Sequence, residues 1–320
     1  MKAVTTLLCA LAFGLPAAAQ VFPASRPIRL IVPSTPGGNI DITARAISGP
    51  LGELLGQPVV VENKPGVGTM LGAEFVSKAA PDGHTLLMGS NSSLTVAPSL
   101  YKNPPYDPLK DLAPVSLVSA TPYFLLAHSA MPAKTLGEAV ALAQKQPGRI
   151  ALANPGVGTS NHLVNKLFEN VTKTEFLHVP YQGGGPALQA VISGQTSLYI
   201  NQQAASIPSI ESGRVRALAV TSSERSPMAP TVPTMAELGF PEMSVVGITG
   251  VLAPKGTSDS IIEKINAALQ KVINLPDTKR RFEGMGTYAL GGTPDAFKTY
   301  IKTDREKWAK IIKDGNIKAE

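Results

Sequence analysis

The chain has 320 residues, of which 43% are hydrophobic, 5% aromatic and 16% charged, and its formal net charge is +6. This length suits one large or two ordinary domains. The densest basic group covers only residues 279–281. No basic stripe interleaved with stacking aromatic residues is present, so we expect no nucleic-acid partner.

The chain starts with the features of an export signal. Lys2 precedes an apolar run at residues 4–15, which is too short to span a bilayer. Three alanines at residues 17–19 form a small-residue cleavage site, so we predict a signal peptide over residues 1–19, cleaved after Ala19. An N-terminal membrane anchor is the alternative. The single cysteine, Cys9, falls inside this segment, and we therefore expect no disulfide and no cysteine metal site in the mature chain.

The next third alternates strands with helices. Ile40, Ala44, Ile47 and Leu51 are spaced by three and four residues, which predicts a helix over residues 40–55. Further predicted elements are strands at residues 28–32, 59–61 and 85–88 and a helix at 69–79. A proline-rich stretch, residues 98–114, is predicted to cross the surface. This alternation is typical of a parallel sheet with helices on both faces.

A second alternating block follows. The predicted strands are residues 123–127, 150–153, 176–179, 197–201 and 216–221, and the predicted helices are 136–143, 161–170 and 186–193. A strand at 245–252 and two helices around 261–273 and 297–312 complete the chain. Two such blocks indicate two α/β lobes, with parallel-type sheets flanked by helices and a cleft between the lobes.

Three glycine-rich loops enter predicted helices. Gly37 and Gly38 follow the first strand, and similar loops occupy residues 154–162 and 181–186. Glycine lets the backbone approach a ligand closely, and the first N–H groups of a helix favour an anion. Ser34 and Thr35 add hydroxyl donors. An anion site and a plain tight turn both remain open for the first loop.

Known catalytic and cofactor motifs are absent from the sequence. The run from Gly66 to Gly72 has the spacing G-x-G-x-x-x-G, and no acid follows where a dinucleotide site needs one. The four histidines lack metal-ligand spacing. We expect no metal and no cofactor, and the pattern favours binding over catalysis. One enzymatic alternative stays open: an isomerase or lyase acting on carboxylates, with Asp41 and His162 as acid and base. A dinucleotide-dependent oxidoreductase is a more distant one.

Several segments resemble one known family. They are RPIRLIVPSTPGGNIDITAR at residues 26–45, GQPVVVENKPGVGTMLGAEFVSKAAPDGHTLLMG at 56–89, ANPGVGTSNHL at 153–163, VPYQGGGPAL at 179–188 and the segment at 212–242. In order and spacing they are similar to the Bug family, the extracytoplasmic solute receptors of tripartite tricarboxylate transporters. The resemblance implies a two-lobe periplasmic binding protein of type II-like fold, a Venus flytrap with a two-strand hinge and a central cleft.

The resemblance also implies an organisation and a function. Residues 20–125 and 248–320 would form the first lobe, and residues 126–247 the second. The protein would be a periplasmic, monomeric receptor and not an enzyme. It would capture a small carboxylate between its lobes and deliver it to membrane permease subunits. A receptor that serves a signalling partner without transport is the alternative.

The residues that we expect to bind the ligand come from the glycine-rich loops and from the resemblance. They are Ser34, Thr35, Pro36, Gly37, Gly38, Asp41, Gly158, Thr159, Ser160, His162, Tyr181 and Asn201. Four positions depart from the family pattern. Ser34 stands where an aromatic residue is usual, Thr159 where Ser is usual, Ser197 where Asp is common and Ile248 where Trp is common. These departures imply a reshaped pocket, so no ligand is transferred from the family.

Overall fold

The computed structural model describes residues 22–315, 317 and 318. The predicted signal peptide, its cleavage site and Cys9 lie outside the described residues. The strands are β1 (Ile28–Val32), β2 (Val59–Asn63), β3 (Thr85–Ser90), β4 (Leu112–His128), β5 (Ala151–Asn154), β6 (Leu177–Pro180), β7 (Leu198–Gln202), β8 (Val215–Val220), β9 (Val246–Pro254) and β10 (Tyr288–Ala289).

The helices lie between these strands, except for the last, which follows β10. They are α1 (Asn39–Leu55), α2 (Met70–Ser77), α3 (Ala97–Leu100), α4 (Leu136–Lys145), α5 (Ser160–Thr172), α6 (Gly184–Ser193), α7 (Gln203–Glu211), α8 (Asp259–Asn274), α9 (Pro276–Gly284) and α10 (Pro294–Asp314). In the described part of the chain, no helix has the length and apolar character needed to cross a membrane.

The strand order is β2-β1-β3-β9-β4-β7-β5-β6, with β8 and β10 also paired to β4. The pairs of β1 with β2 and β3 are parallel, as are those of β5 with β6 and β7. Strand β4 has 17 residues and joins the two halves. Up to Pro122 it pairs with β9, and from Tyr123 onward it pairs with β7 and β8.

Each half of the sheet has its own hydrophobic core. In the first lobe, α1 and α8 cover one face of the sheet, and α2 and the start of α10 cover the other. In the second lobe, α4 and α5 pack on one face and α6 and α7 on the other. The chain crosses between lobes near Pro122 in β4 and at Val246, where β9 begins. These points lie close to the expected boundaries at residues 125 and 247, and we keep that division of the chain as a proposal.

The last helix, α10, packs against both cores. Phe297 and Ile301, near its beginning, belong to a core cluster of the first lobe, whereas Trp308 lies in a cluster of the second. All three side chains are buried. The helix therefore bridges the lobes, so the assignment of every residue after 248 to the first lobe does not describe how its end is packed.

Several sequence predictions of individual elements were wrong. Residues 98–114 do not simply cross the surface, because Pro98, Tyr106 and Leu112 are buried and the stretch begins inside α3. Helices α7 and α9 were missed. The strand predicted at residues 123–127 is the end of the much longer β4, which contains prolines at positions where a central strand usually has none.

A buried polar network holds the crossover region together. Asn91, just after β3, accepts a hydrogen bond from the Ile248 N–H of β9 at 2.6 Å and donates to Asp304 Oδ2 of α10 at 2.9 Å. The same carboxyl oxygen accepts from Thr95 Oγ1 at 2.6 Å. One asparagine thus connects two strands and a helix that meet beside the cleft.

We predict that Asn91→Ala lowers the free energy of unfolding by about 2–3 kcal/mol, because it leaves a buried N–H and a buried carboxyl group short of partners. The matched variant Thr95→Val removes one bond to the same carboxyl group and should cost about 1 kcal/mol. Urea unfolding of both variants measures this. Equal losses would contradict a central role for Asn91.

Candidate functional site

A cavity of about 330 Å³ lies between the lobes. Its wall combines the loop after β1, the turn before α2, the loops before α5 and α6, and the end of β7. Among the described residues that line it, none is Lys, Arg, His, Asp or Glu. A charged ligand would therefore be met by main-chain amides, hydroxyls and side-chain amides alone.

Helix α1 begins at this cavity without a side-chain cap. Its N-cap residue is Gly38, whose extended backbone (φ −79°, ψ 165°) supplies no side chain to bond the first amides. The first N–H groups of a helix have no partners inside it and carry the positive end of its dipole. They are thus available to an anion in the cavity.

Helix α6 presents a second uncapped beginning from the other lobe. Its N-cap residue, Gly183, has φ 121° and makes no side-chain cap. A Cβ atom on Gly184 would lie 3.6 Å from Gly38 Cα. The beginnings of α1 and α6 therefore face each other across the cleft, an arrangement suited to one negatively charged group.

Four polar side-chain atoms of the wall have no hydrogen-bond partner within the described residues. They are Ser34 Oγ, Thr35 Oγ1, Asn39 Oδ1 and the Tyr199 hydroxyl. The Tyr199 hydroxyl would lie 3.7 Å from a Cβ on Gly184, and Ser34 Oγ 3.9 Å from one on Gly38. These four atoms and the beginnings of α1 and α6 define the polar end of the cavity. Buried polar atoms are normally bonded, so these four atoms are positioned to bond a ligand in the cavity.

Helix α5 has fewer free amides than the sequence led us to expect. Thr159 Oγ1 accepts the His162 N–H at 3.3 Å, and Ser92 Oγ accepts the Ser160 N–H at 2.9 Å. Two of the first amides of this helix are thus already bonded within the protein. Of α5 and α6, only α6 begins without a side-chain cap, and sequence analysis identified its loop without assigning it the anion.

Half of the predicted site residues line the cavity and half do not. Ser34, Thr35, Gly38, Thr159, Tyr181 and Asn201 line it. Pro36, Gly37, Asp41, Gly158, Ser160 and His162 are not part of the lining. Sequence reasoning did not select Tyr199, Asn39, Gly184 or Tyr101, which do line it.

Asp41 supports the first loop from behind and does not face the cavity. Its carboxylate accepts the Gly37 N–H, Arg45 Nε and Asn63 Nδ2, each at 3.0 Å. Asn63 Nδ2 also reaches the Ser34 carbonyl oxygen at 3.0 Å. Burial raises the pKa of Asp41, but the bonds from Arg45, Gly37 and Asn63 outweigh it and hold this pKa below its usual range. Asp41 is therefore a positioning residue for the loop.

His162 is likewise enclosed behind the second loop. Its side chain is buried, and Nδ1 lies 3.5 Å from the Gly158 N–H. Burial, together with the nearby His178 and Lys166, lowers the pKa of His162 to about 4, against the opposing effect of Glu169. The imidazole is neutral near pH 7 and holds a loop amide.

The departures from the family pattern fall in different places. Ser34 and Thr159 line the cavity. Ser197 pairs its N–H with the Ala151 carbonyl oxygen, and Ile248 is buried in β9; neither is among the lining residues. Of the four positions, Ser34 is the one where a side chain smaller than the usual aromatic residue leaves room at the polar end.

Two α/β lobes joined through β4 and β9, with a cavity that both lobes line, define a two-lobed solute-binding protein. Residues 43–317 match the family described as the tripartite tricarboxylate transporter family receptor. The chain belongs to this family, which confirms the predicted fold class and the resemblance.

Characterised relatives agree with this assignment. The chain is 37% identical to the protein BugT of Bordetella pertussis over 304 residues, which is 95% of this chain and 93% of that protein. The structure of MatC from Rhodopseudomonas palustris with bound malate matches with a TM-score of 0.86 and 33% identity. The match covers 91% of this chain and 100% of that chain. A second R. palustris structure, with adipate, matches with a TM-score of 0.89 and 29% identity over 92% and 98%.

We predict that stability falls as the pH decreases from about 6.5 to about 4 because of His162. Within this range the unfolded chain protonates this histidine, whereas the folded protein keeps it neutral down to a pKa of about 4. In His162→Gln the free energy of unfolding should depend less on pH over that interval. Urea unfolding at several pH values measures the slopes, and identical slopes for parent and variant would contradict the assignment.

Proposed function

We propose that this protein is a periplasmic receptor that encloses a small carboxylate between its lobes and presents it to the membrane permease of a tripartite tricarboxylate transporter. The observation that carries the proposal is the pair of uncapped helix beginnings, α1 and α6, which face each other across a cavity without charged side chains. The malate and adipate in two related structures support the same ligand class.

The energetics of this site fit a receptor. A hydrogen bond to a charged group contributes ~1.5–3 kcal/mol, and micromolar affinity needs about −8 kcal/mol in total. Several amides and hydroxyls that share one carboxylate reach that value after ordering and desolvation costs are subtracted. Because the donors are neutral, release of the ligand does not have to break a buried ion pair.

The loops before α1 and α6 contact each other across the cleft. A Cβ atom on Gly183 would lie only 2.1 Å from Thr35 Oγ1, and one on Gly185 only 2.9 Å from the Pro36 carbonyl oxygen. The loops fit together because these positions carry no side chain. A carboxylate bound to both helix beginnings stabilises this closed arrangement over an open one, and the closed form is what a permease would recognise.

The enzymatic alternative has less support from the geometry. Asp41 and His162 do not line the cavity, and the hydrogen bonds of Asp41 are directed to Gly37, Arg45 and Asn63. A receptor for a signalling partner would use the same ligand site. We favour transport because the family to which the chain belongs is described by its transporter.

We predict that a small carboxylate raises the melting temperature of the purified protein, because the ligand binds only the folded state. Thermal shift and calorimetry with mono-, di- and tricarboxylates measure this. The amide of each carboxylate is the matched control and should bind at least about tenfold more weakly, because it lacks the charge-assisted bonds. Binding of neutral solutes with no response to any carboxylate would contradict the proposal.

The Tyr199 hydroxyl provides a second, site-specific test. Burial raises the pKa of Tyr199, so the hydroxyl stays a neutral donor with no protein partner among the described residues. We predict that Tyr199→Phe leaves the ligand-free melting temperature unchanged or higher, and weakens the affinity for carboxylate about tenfold or more.

The matched control for this variant is Tyr123→Phe. Tyr123 is also fully buried, but its hydroxyl lies 3.3 Å from Ser160 Oγ and does not line the cavity. This change should lower the free energy of unfolding by about 1 kcal/mol and have less effect on affinity. If Tyr199→Phe destabilised the ligand-free protein and left affinity intact, the hydroxyl would have a structural role and no contact with the ligand.

A further inference from the structure

The two ends of the cavity differ in chemistry. Outside the polar end, the wall includes Pro65, Val67, Tyr101, Pro155 and Val157, which we call the apolar end. These residues come from both lobes. The Tyr101 hydroxyl lies 3.4 Å from the Val157 carbonyl oxygen, and a Cβ on Gly68 would lie 3.3 Å from that same oxygen.

The side-chain hydroxyls near the apolar end already have partners. Tyr101 donates to the Val157 carbonyl oxygen, Thr69 to the Gly68 carbonyl oxygen and Thr159 to that of Gly156. At the polar end, by contrast, three hydroxyls and one amide oxygen are without partners within the described chain. Among the lining residues, the buried hydroxyls that have no protein partner within the described chain thus belong to the polar end.

A second carboxylate at the apolar end would meet no compensating side chain. No cationic residue is among the described residues that line the cavity, and Val67 of the apolar end is 66% exposed, so a second carboxylate there would gain no ion pair and would stay hydrated above an apolar surface. Proline rings, valine side chains and a tyrosine ring instead favour an apolar ligand body. A cavity of about 330 Å³ has space for a ring or a short chain in addition to one carboxylate.

We therefore propose that the preferred ligand is a monocarboxylate with an apolar, ring-sized body, bound with its carboxylate at the polar end and its body at the apolar end. This inference rests on the proposed function, since it takes carboxylate capture for granted and specifies the rest of the molecule. It departs from the malate and adipate of the related structures, each of which carries two carboxylates.

The test is calorimetry of the exported chain with 3-phenylpropanoate, adipate, malate, citrate and the neutral 3-phenylpropan-1-ol. We expect 3-phenylpropanoate to bind at least about tenfold more tightly than adipate, malate or citrate, because its ring covers apolar surface that the second carboxylate of a diacid leaves in contact with water. It should also bind more tightly than the alcohol.

A gain-of-function variant tests the apolar end directly. Val67 lines the cavity and is 66% exposed, so Val67→Lys introduces a cation there with little risk to folding. We expect the affinity for adipate relative to 3-phenylpropanoate to rise at least about tenfold. The matched control is Leu71→Lys, because Leu71 is 55% exposed one turn further along and does not line the cavity. It should leave this ratio unchanged.

The outcomes separate the inference from the proposed function. If adipate, malate or citrate binds the parent protein more tightly than 3-phenylpropanoate, the inference is wrong and carboxylate capture stands. If Val67→Lys and Leu71→Lys change the ratio equally, the apolar end does not select the ligand and the inference is again wrong. If no carboxylate binds, or the alcohol binds as tightly as the acid, the proposed function itself is wrong.

Discussion

The site depends on the close approach of two helix beginnings that no side chain caps. A Cβ atom on Gly184 would be in ordinary van der Waals contact with Gly38 Cα, and the two loops can approach this closely because Gly183 and Gly185 carry no side chain that would clash with Thr35 and Pro36. The first residues of both helices then border one cavity. These two backbone segments are kept in place by the packing of the lobes, by the hinge strands and by the buried network around Asn91.

At the proposed site, charged residues support the loops and do not line the cavity. The Asp41 carboxylate fixes the loop that carries Gly37 and Gly38, through bonds to the loop amide and to Asn63. An exposed carboxylate in the same position would repel an anion, but here Arg45 pairs with it on the side away from the cavity. The protein thus uses a negative residue to build a site for a negative ligand.

The fold was predicted better than the site, and the reason is physical. Hydrophobic periodicity and glycine-rich loops are local features, so they located most strands and helices and the loop at Gly37 and Gly38. The bond between Ser160 and Ser92 joins residues 68 apart, and nothing local indicates that it occupies an amide of α5. Tyr199 lies in a strand where any buried aromatic residue would fit the pattern, and only the fold reveals that its hydroxyl ends at the cavity without a partner.

The neutral wall of the cavity has a consequence for the conditions in which the receptor works. Because none of the described side chains that line it is an acid, a base or an imidazole, capture does not depend on the ionisation of the wall near neutral pH. Acidity acts on the solute instead: protonation of its carboxylate removes the charge that the amides attract. The occupancy of such a receptor in a mildly acidic medium is therefore set by the acid strength of the solute.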